Sequence, residues 1–209
     1  MDKMVNLITM NNIIGEKMIP GKIATKDVFK LLKQNQKIYI ETGTWRGNGV
    51  KWAIENFEKV HSIELWKEYY DNCIELFKNE EKVKIHFGDS KDKLPEILSD
   101  IDEQCFIFLD AHGDIKDTGP NPLYDELKGI KTHPLNNHII LIDDLRRIGD
   151  SSDPCWSQVS VNQLKQQLKE INENYCITEY NDMIVAALKE DFNDEIINKL
   201  KTEKKWWEN

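Results

Sequence analysis

The chain of 209 residues is short of arginine: only Arg46, Arg146 and Arg147 interrupt a cationic set that is otherwise lysine. Its 28 Lys and Arg face 37 Asp and Glu, and 28 − 37 leaves a net charge of −9. That balance argues against binding a polyanion by bulk charge, since nucleic-acid binders neutralise phosphates with clustered cations. Cysteine is scarce and scattered: Cys73, Cys105, Cys155 and Cys176 form no CxxC pair and have no histidine at zinc-finger spacing. They read as reduced thiols of a cytoplasmic protein, neither a disulfide framework nor a zinc site. No apolar run approaches the roughly 20 residues of a spanning helix, which argues against a membrane partner. The opening Met1-Asp2-Lys3-Met4 lacks a basic segment, and Asn11-Asn12 breaks the apolar residues after it, so no signal peptide is expected. Repeats and low-complexity stretches are absent too. At 40% hydrophobic and 31% charged, the composition excludes a disordered chain and fits one domain burying roughly 70% of its unfolded surface.

What the sequence does have is alternation. Strand-like runs at Lys37–Glu41, Val60–Glu64, Val83–Phe87, Cys105–Asp110 and His138–Asp143 are separated by helical patterns. In the first crossover Val50, Ala53, Ile54 and Phe57 fall at i, i+3, i+4 and i+7, one buried helix face. Trp66, Tyr69 or Tyr70, Cys73 and Phe77 repeat the spacing in the second. Leu94, Ile97 and Leu98 follow it weakly, then Leu123, Leu127 and Ile130. This is the signature of an α/β domain with a largely parallel sheet. Ser160 and Gln163 read as a capping-box pair opening a helix through Leu164, Leu168 and Ile171. Tyr175–Tyr180 and Met183–Leu188, joined by Asn181-Asp182, have hairpin spacing and predict an antiparallel end to the sheet. Residues 1–36 read as an appended cap with a short helix around Val28, Leu31 and Leu32, and residues 37–209 as the domain. Trp206-Trp207 reads as a homodimer or lid contact, or as a frayed tail.

After the first strand comes Glu41-Thr42-Gly43-Thr44-Trp45-Arg46-Gly47-Asn48-Gly49, then a helix. Glycines here permit a tight turn and close approach to a ligand; a plain βα turn is the bland alternative. A G-x-G-x-x-G fingerprint fails at Trp45 and Asn48, and no Walker A sequence is present. Acids stand at successive strand ends: Glu64, Asp89, Asp110 and the pair Asp143-Asp144. Ligands of open α/β sheets bind beyond the carboxyl ends of the strands. A carboxylate at the second strand suits a ribose diol. Glu41 disfavours a pyrophosphate but not a cofactor carrying an ammonium and a sulfonium.

On these residues the stretch from about Ile38 to Leu188 resembles the class I S-adenosylmethionine-dependent methyltransferases, with Glu41, Gly43 and Gly47 as motif I. The resemblance implies a Rossmann-like three-layer sandwich: a mostly parallel seven-stranded sheet ending in an antiparallel hairpin. It implies S-adenosylmethionine as cofactor, with Glu41 and Gly43 at the methionine end, Glu64 on the ribose, Asp89 with Ser90 at the adenine, and Thr44, Gly47 and Asp110 also among the cofactor-binding residues. The N/D-P-P-Y/F motif of amine methylases is missing after the fourth strand, which carries Leu109-Asp110-Ala111-His112 instead. Asp110 with Asp143-Asp144 resembles the divalent-metal-dependent O-methyltransferases of the catechol and macrolide-sugar (macrocin) types.

That resemblance implies Mg²⁺ held by Asp110, Asp143 and Asp144, and a hydroxyl of a sugar, glycan or small polyhydroxylated metabolite as acceptor. Hard oxygen ligands suit Mg²⁺, which lowers the pKa of bound hydroxyls. Adjacent strand residues point to opposite faces, so both aspartates reach one ion only if the strand has ended at Ile142. His112 is the candidate base beside Asp110, with metal ligation or plain packing as alternatives. Metal-free transfer with His112 as base, and a non-catalytic cofactor-binding module, stand as rival functions. His61, His86, His133 and His138 read as structural. The loops Ala111–Pro122 and Arg146–Gln158 would wall the acceptor site, with Arg146 and Arg147 for an anionic group and Trp156 for stacking on a sugar ring.

Overall fold

The computed structural model describes residues 25–112 and 119–192, together with 196 and 198. The expectations for most of the N-terminal cap, for the middle of the loop after the fourth strand and for Trp206-Trp207 lie outside them. Seven strands form one sheet: β1 (Ile38–Thr42), β2 (Lys59–Glu64), β3 (Val83–Phe87), β4 (Cys105–Leu109), β5 (Ile139–Ile142), β6 (Cys176–Tyr180) and β7 (Met183–Ala187). Their order is β3-β2-β1-β4-β5-β7-β6, parallel except that β7 runs against both β5 and β6. The helices are α1 (Thr25–Leu32), α2 (Asn48–Asn56), α3 (Lys67–Leu76), α4 (Ser90–Ser99), α5 (Leu123–Lys131) and α6 (Val161–Ile171). No described helix is long and apolar enough to cross a membrane.

The central strands are apolar on both sides because helices cover both sides. On one face Ile38, Ile40, Cys105, Ile107, Leu109, Ile140 and Ile142 pack with Leu94, Leu98, Leu127 and Leu164 of α4, α5 and α6. On the other, Tyr39, Phe106, Phe108 and Leu141 pack with Phe29 of α1 and Val50, Trp52 and Ala53 of α2. This is the three-layer sandwich. Two details differ from the helical spacing. Trp52 rather than Ile54 completes the buried face of α2, and Trp66 is 41% exposed because α3 begins at the lip of the sheet's carboxyl edge.

Both strands bearing the key acids stop one residue early. β4 ends at Leu109 and β5 at Ile142, so Asp110 and Asp143-Asp144 open loops and are not ladder residues. The Ser160–Gln163 capping box does not form: the Ser160 side chain caps nothing. The Ser160 amide donates instead to the Tyr124 hydroxyl at 2.7 Å, and that hydroxyl donates to Gln163 Oε1 at 2.6 Å. Tyr124 of α5 thus does the back-bonding of a capping box while tying α5 to α6. The hairpin turns on Asn181 (φ 47) and Asp182 (φ 71), the two left-handed residues that a two-residue type I′ connection requires.

The four structural histidines form two pairs. His61 Nδ1 meets His86 Nε2 at 3.1 Å on neighbouring strands. His138 Nδ1 accepts from the Cys105 amide, and its Nε2 faces His133 Nδ1 at 3.0 Å.

Candidate active site

The strand order reverses between β1 and β4, and a crevice opens at such a switch point. Gly43 lies on its floor, its amide bonded to the Ile63 carbonyl at 2.9 Å. A Cβ there would stand 2.5 Å from the Asp110 carbonyl oxygen, and the φ of +85 is itself one that side chains avoid. The cleft measures about 490 Å³ and runs from Glu64 and Asp89 past Gly43 to Asp110 and His112.

Glu41 does not line this cleft. By strand parity it shares the face of Tyr39 and points under the glycine loop, 2% exposed. Its Oε2 accepts from the Tyr39 hydroxyl at 2.9 Å and its Oε1 from Ser62 at 2.8 Å, while Thr44 and Ser62 share a hydrogen bond of 2.5 Å. Burial pushes the Glu41 carboxyl up to about 7, against the two hydroxyls that hold its charged form. Thr44 is likewise buried. A side chain on Gly49 would collide with Glu41 Oε2, and one on Gly47 would meet the Phe77 ring at 2.6 Å. Glu41, Thr44 and Gly47 therefore shape the loop from behind, and Gly43 alone of the motif glycines faces the cleft.

Glu64 is 4% exposed and lines the cleft. Its Oε2 accepts from the Trp45 amide at 2.7 Å and its Oε1 from the Trp66 amide at 2.8 Å. Each oxygen keeps a second acceptor lobe. One carboxylate thus fixes both the glycine loop and the entry to α3. Trp45 and Trp66, 47% and 41% exposed, form apolar walls on either side of it. Asp89 caps α4 through the Lys91 amide at 3.1 Å and pairs with the Lys91 ammonium at 2.5 Å. Ser90 lies next to it on the cleft wall, and beneath Ser90 is a group the sequence did not advertise. Glu126 of α5 is fully buried, its carboxyl pushed up to about 7 by burial against the Ser90 and Thr42 hydroxyls it faces.

The other end of the cleft is acidic. His112, with its side chain 1% exposed, places Nε2 at 3.6 Å from Asp110 Oδ1 and 3.3 Å from Asp144 Oδ2. Neither ring nitrogen makes a hydrogen bond. Burial pushes the imidazole down to about 4, outweighing the pull of Asp144, so it is neutral and keeps a lone pair to offer. Trp156, expected as a sugar platform, is 0% exposed and sets its ring edge-on to His112 at 4.4 Å. It backs the histidine and has no face open for stacking. With β5 ended at Ile142, Asp143 and Asp144 do converge, but their third partner is Asp182 of the hairpin turn and not Asp110. Oxygens of these three lie within 4.8 Å of one another. Asp110 is not one of the three and lies 3.6 Å from His112 Nε2.

The two arginines are committed to carboxylates. Arg147 pairs with Asp153 and lies over the Trp156 ring. Arg146 Nη1 lies 2.7 Å from Asp144 Oδ1 and also pairs with Asp182 Oδ2. Asp182 went unread in the sequence because a hairpin turn normally faces solvent; here its side chain is fully buried.

No protein-family model matches the chain, and no curated protein matches it in sequence. Solved structures do. The O-methyltransferase from Bacillus cereus in complex with SAH aligns with a TM-score of 0.55 at 20% identity, over 81% of this chain and 84% of that one. The SAH-bound Podospora anserina methyltransferase PaMTH1 aligns with 0.52 at 14% identity, over 78% and 76%. Aeropyrum pernix fibrillarin with natively bound S-adenosyl-L-methionine gives 0.51 at 11%, over 75% and 68%. At these identities the likeness is one of fold. The chain has the Rossmann-like fold of the class I S-adenosylmethionine-dependent methyltransferases.

Proposed function

We propose that the chain is an S-adenosylmethionine-dependent O-methyltransferase acting, with a divalent cation such as Mg²⁺, on a hydroxyl of a sugar, glycan or small polyhydroxylated metabolite. The observation that carries this reading is the cleft itself. It joins a ribose-type carboxylate, Glu64, to an imidazole that lacks hydrogen bonds and is flanked by two carboxylates. Glu64 offers its remaining lone pairs to the ribose hydroxyls, Asp89 and Ser90 face the adenine, and Gly43 lets the backbone come close to the methionine end. Glu41 and Thr44 take part from behind, as braces of the loop.

At the acidic end His112 accepts the acceptor hydroxyl's proton at Nε2. Asp144 and Asp110 stabilise the imidazolium that results, which offsets the low proton affinity its burial imposes. Asp143, Asp144 and Asp182 are hard oxygen donors of the kind a divalent cation takes, and the unbonded His112 ring lies against Asp144; the donor set fits. Asp143 and Asp144 would hold the ion, with Asp182 in the position first expected of Asp110. A bound cation there would lower the pKa of the acceptor hydroxyl. The net charge of −9 supports a small acceptor or glycan over a nucleic acid. Four cysteines dispersed along the chain and outside any disulfide support a cytoplasmic setting.

The test is transfer of a labelled methyl group from S-adenosylmethionine to a panel of sugars, polyols and catechols, with Mg²⁺ and with EDTA. The expected result is label on a hydroxyl oxygen, lost with the metal. Cofactor binding without transfer to any hydroxyl would overturn the acceptor class, and transfer undiminished by EDTA would remove the cation.

A further inference from the structure

The arginine after the two aspartates sits where a free cation would have to go. Arg146 is fixed at three points: its amide donates to Asp182 Oδ1 at 2.8 Å, and its Nη1 reaches both Asp182 Oδ2 and Asp144 Oδ1, the latter at 2.7 Å. Asp182 is fully buried and Asp144 only 20% exposed. Carboxylates so desolvated need a partner charge, because an uncompensated buried ion costs several kcal/mol. Asp144 and Asp182 also belong to the three-carboxylate group. The local backbone is built to bring them together: Asp144 is left-handed at φ 57, and Leu145 donates to the Asp182 carbonyl at 2.8 Å. Independently of the acids, the buried imidazole of His112 makes no hydrogen bond and lies against Asp144. Two kinds of donor thus converge on one place, and a guanidinium already holds two of the carboxylates there.

We propose that Arg146 is a resident counter-cation that competes with a divalent ion for Asp144 and Asp182, so that ion entry and guanidinium displacement are one exchange. The inference deepens the proposed function in its metal part. It concerns only charges of this chain and is read without turnover. Arg146, 31% exposed at its side chain, has an outward path; Asp182 has none. The exchange keeps the cluster compensated in both states. It also makes the wild-type chain a weak binder of divalent ions, because each ion must displace a guanidinium nitrogen held between two carboxylates.

The experiment titrates Mn²⁺ alone, followed by its paramagnetic resonance signal, into the full chain, Arg146→Met, Arg146→Lys and the double variant Arg146→Met with Asp182→Asn. Arg146→Met is expected to bind Mn²⁺ at least about tenfold more tightly than wild type, a difference of about 1.4 kcal/mol. Arg146→Lys stays near wild type because it keeps the charge, and the double variant loses the gain because a donor is gone. Should Arg146→Met fold poorly, Mn²⁺ is expected to restore its Tm and to leave that of wild type nearly unmoved. Equal Mn²⁺ affinity in wild type and Arg146→Met, or no Mn²⁺ binding or rescue in Arg146→Met, would overturn the proposal. Titration of SAH into the wild-type chain, run in parallel, tells the two readings apart: its failure counts against the methyltransferase function and leaves the Mn²⁺ comparison standing.

Discussion

The two halves of the cleft solve the burial of charge differently. At the β1–β2 end, backbone amides do it: Glu64 receives Trp45 and Trp66, and hydroxyls hold Glu41. Those donors are backbone amides or hydroxyls of β1 and β2 and carry no formal charge, so the site is finished before any ligand arrives. At the β4–β5 end, charge is balanced by charge. Asp144 and Asp182 lean on the Arg146 guanidinium, and His112 stays unbonded among carboxylates. The first arrangement suits a cofactor that is always the same. The second leaves room for groups that come and go.

Breaking the finished half is expected to have the largest effect. Gly43→Ala puts a Cβ against the Asp110 carbonyl at a positive φ, and should cost about 2–4 kcal/mol in thermal unfolding while removing SAH binding in calorimetry. A Gly43→Ala chain as stable as wild type would show that the floor is looser than described. On the open half, His112→Gln should leave SAH affinity within about threefold but lower kcat by about 100-fold on whichever acceptor proves active. An unchanged kcat would reduce the histidine to packing.

Glu126 sharpens the contrast, since it lies under the finished half yet its burial outweighs the Ser90 and Thr42 hydroxyls beside it. Its folded pKa of about 7 exceeds the ordinary 4.5. The resulting stability is therefore present below pH 4.5 and lost as pH rises through 7. Glu126→Gln should accordingly gain on wild type between pH 5 and 8 by up to about 3 kcal/mol, read as a flatter dependence of Tm on pH. Outside the cleft the exposed Lys67–Asp71 pair is the control. Asp71→Asn should change stability by less than about 0.5 kcal/mol, and a larger loss would mean that surface charge matters here as much as cleft charge.

The architecture was readable because apolar runs of strand length and faces of helical period alternate without conflict, from Lys37 to the Asn181-Asp182 turn. That Glu64 and Asp89 line the cleft was readable for a similar reason: a residue at the end of a parallel strand has one edge to face. Glu41 was harder, since its side follows from parity with Tyr39, and Gly49 shows what it faces only once α2 is in place. Trp156 and Asp182 were misjudged or missed because their burial depends on contacts across the sheet edge. A loop tryptophan and a hairpin aspartate look exposed until β7 is laid against β5. The pairing of Arg146 with both carboxylates has no sequence signal at all, since Asp182 is 36 residues away.

Calorimetric titration with SAH, on wild type and Glu64→Ala, tests the central claim most directly. Micromolar binding by wild type, abolished in a folded Glu64→Ala chain, is the result this account predicts. Absence of binding by wild type, or equal binding by Glu64→Ala, would contradict it.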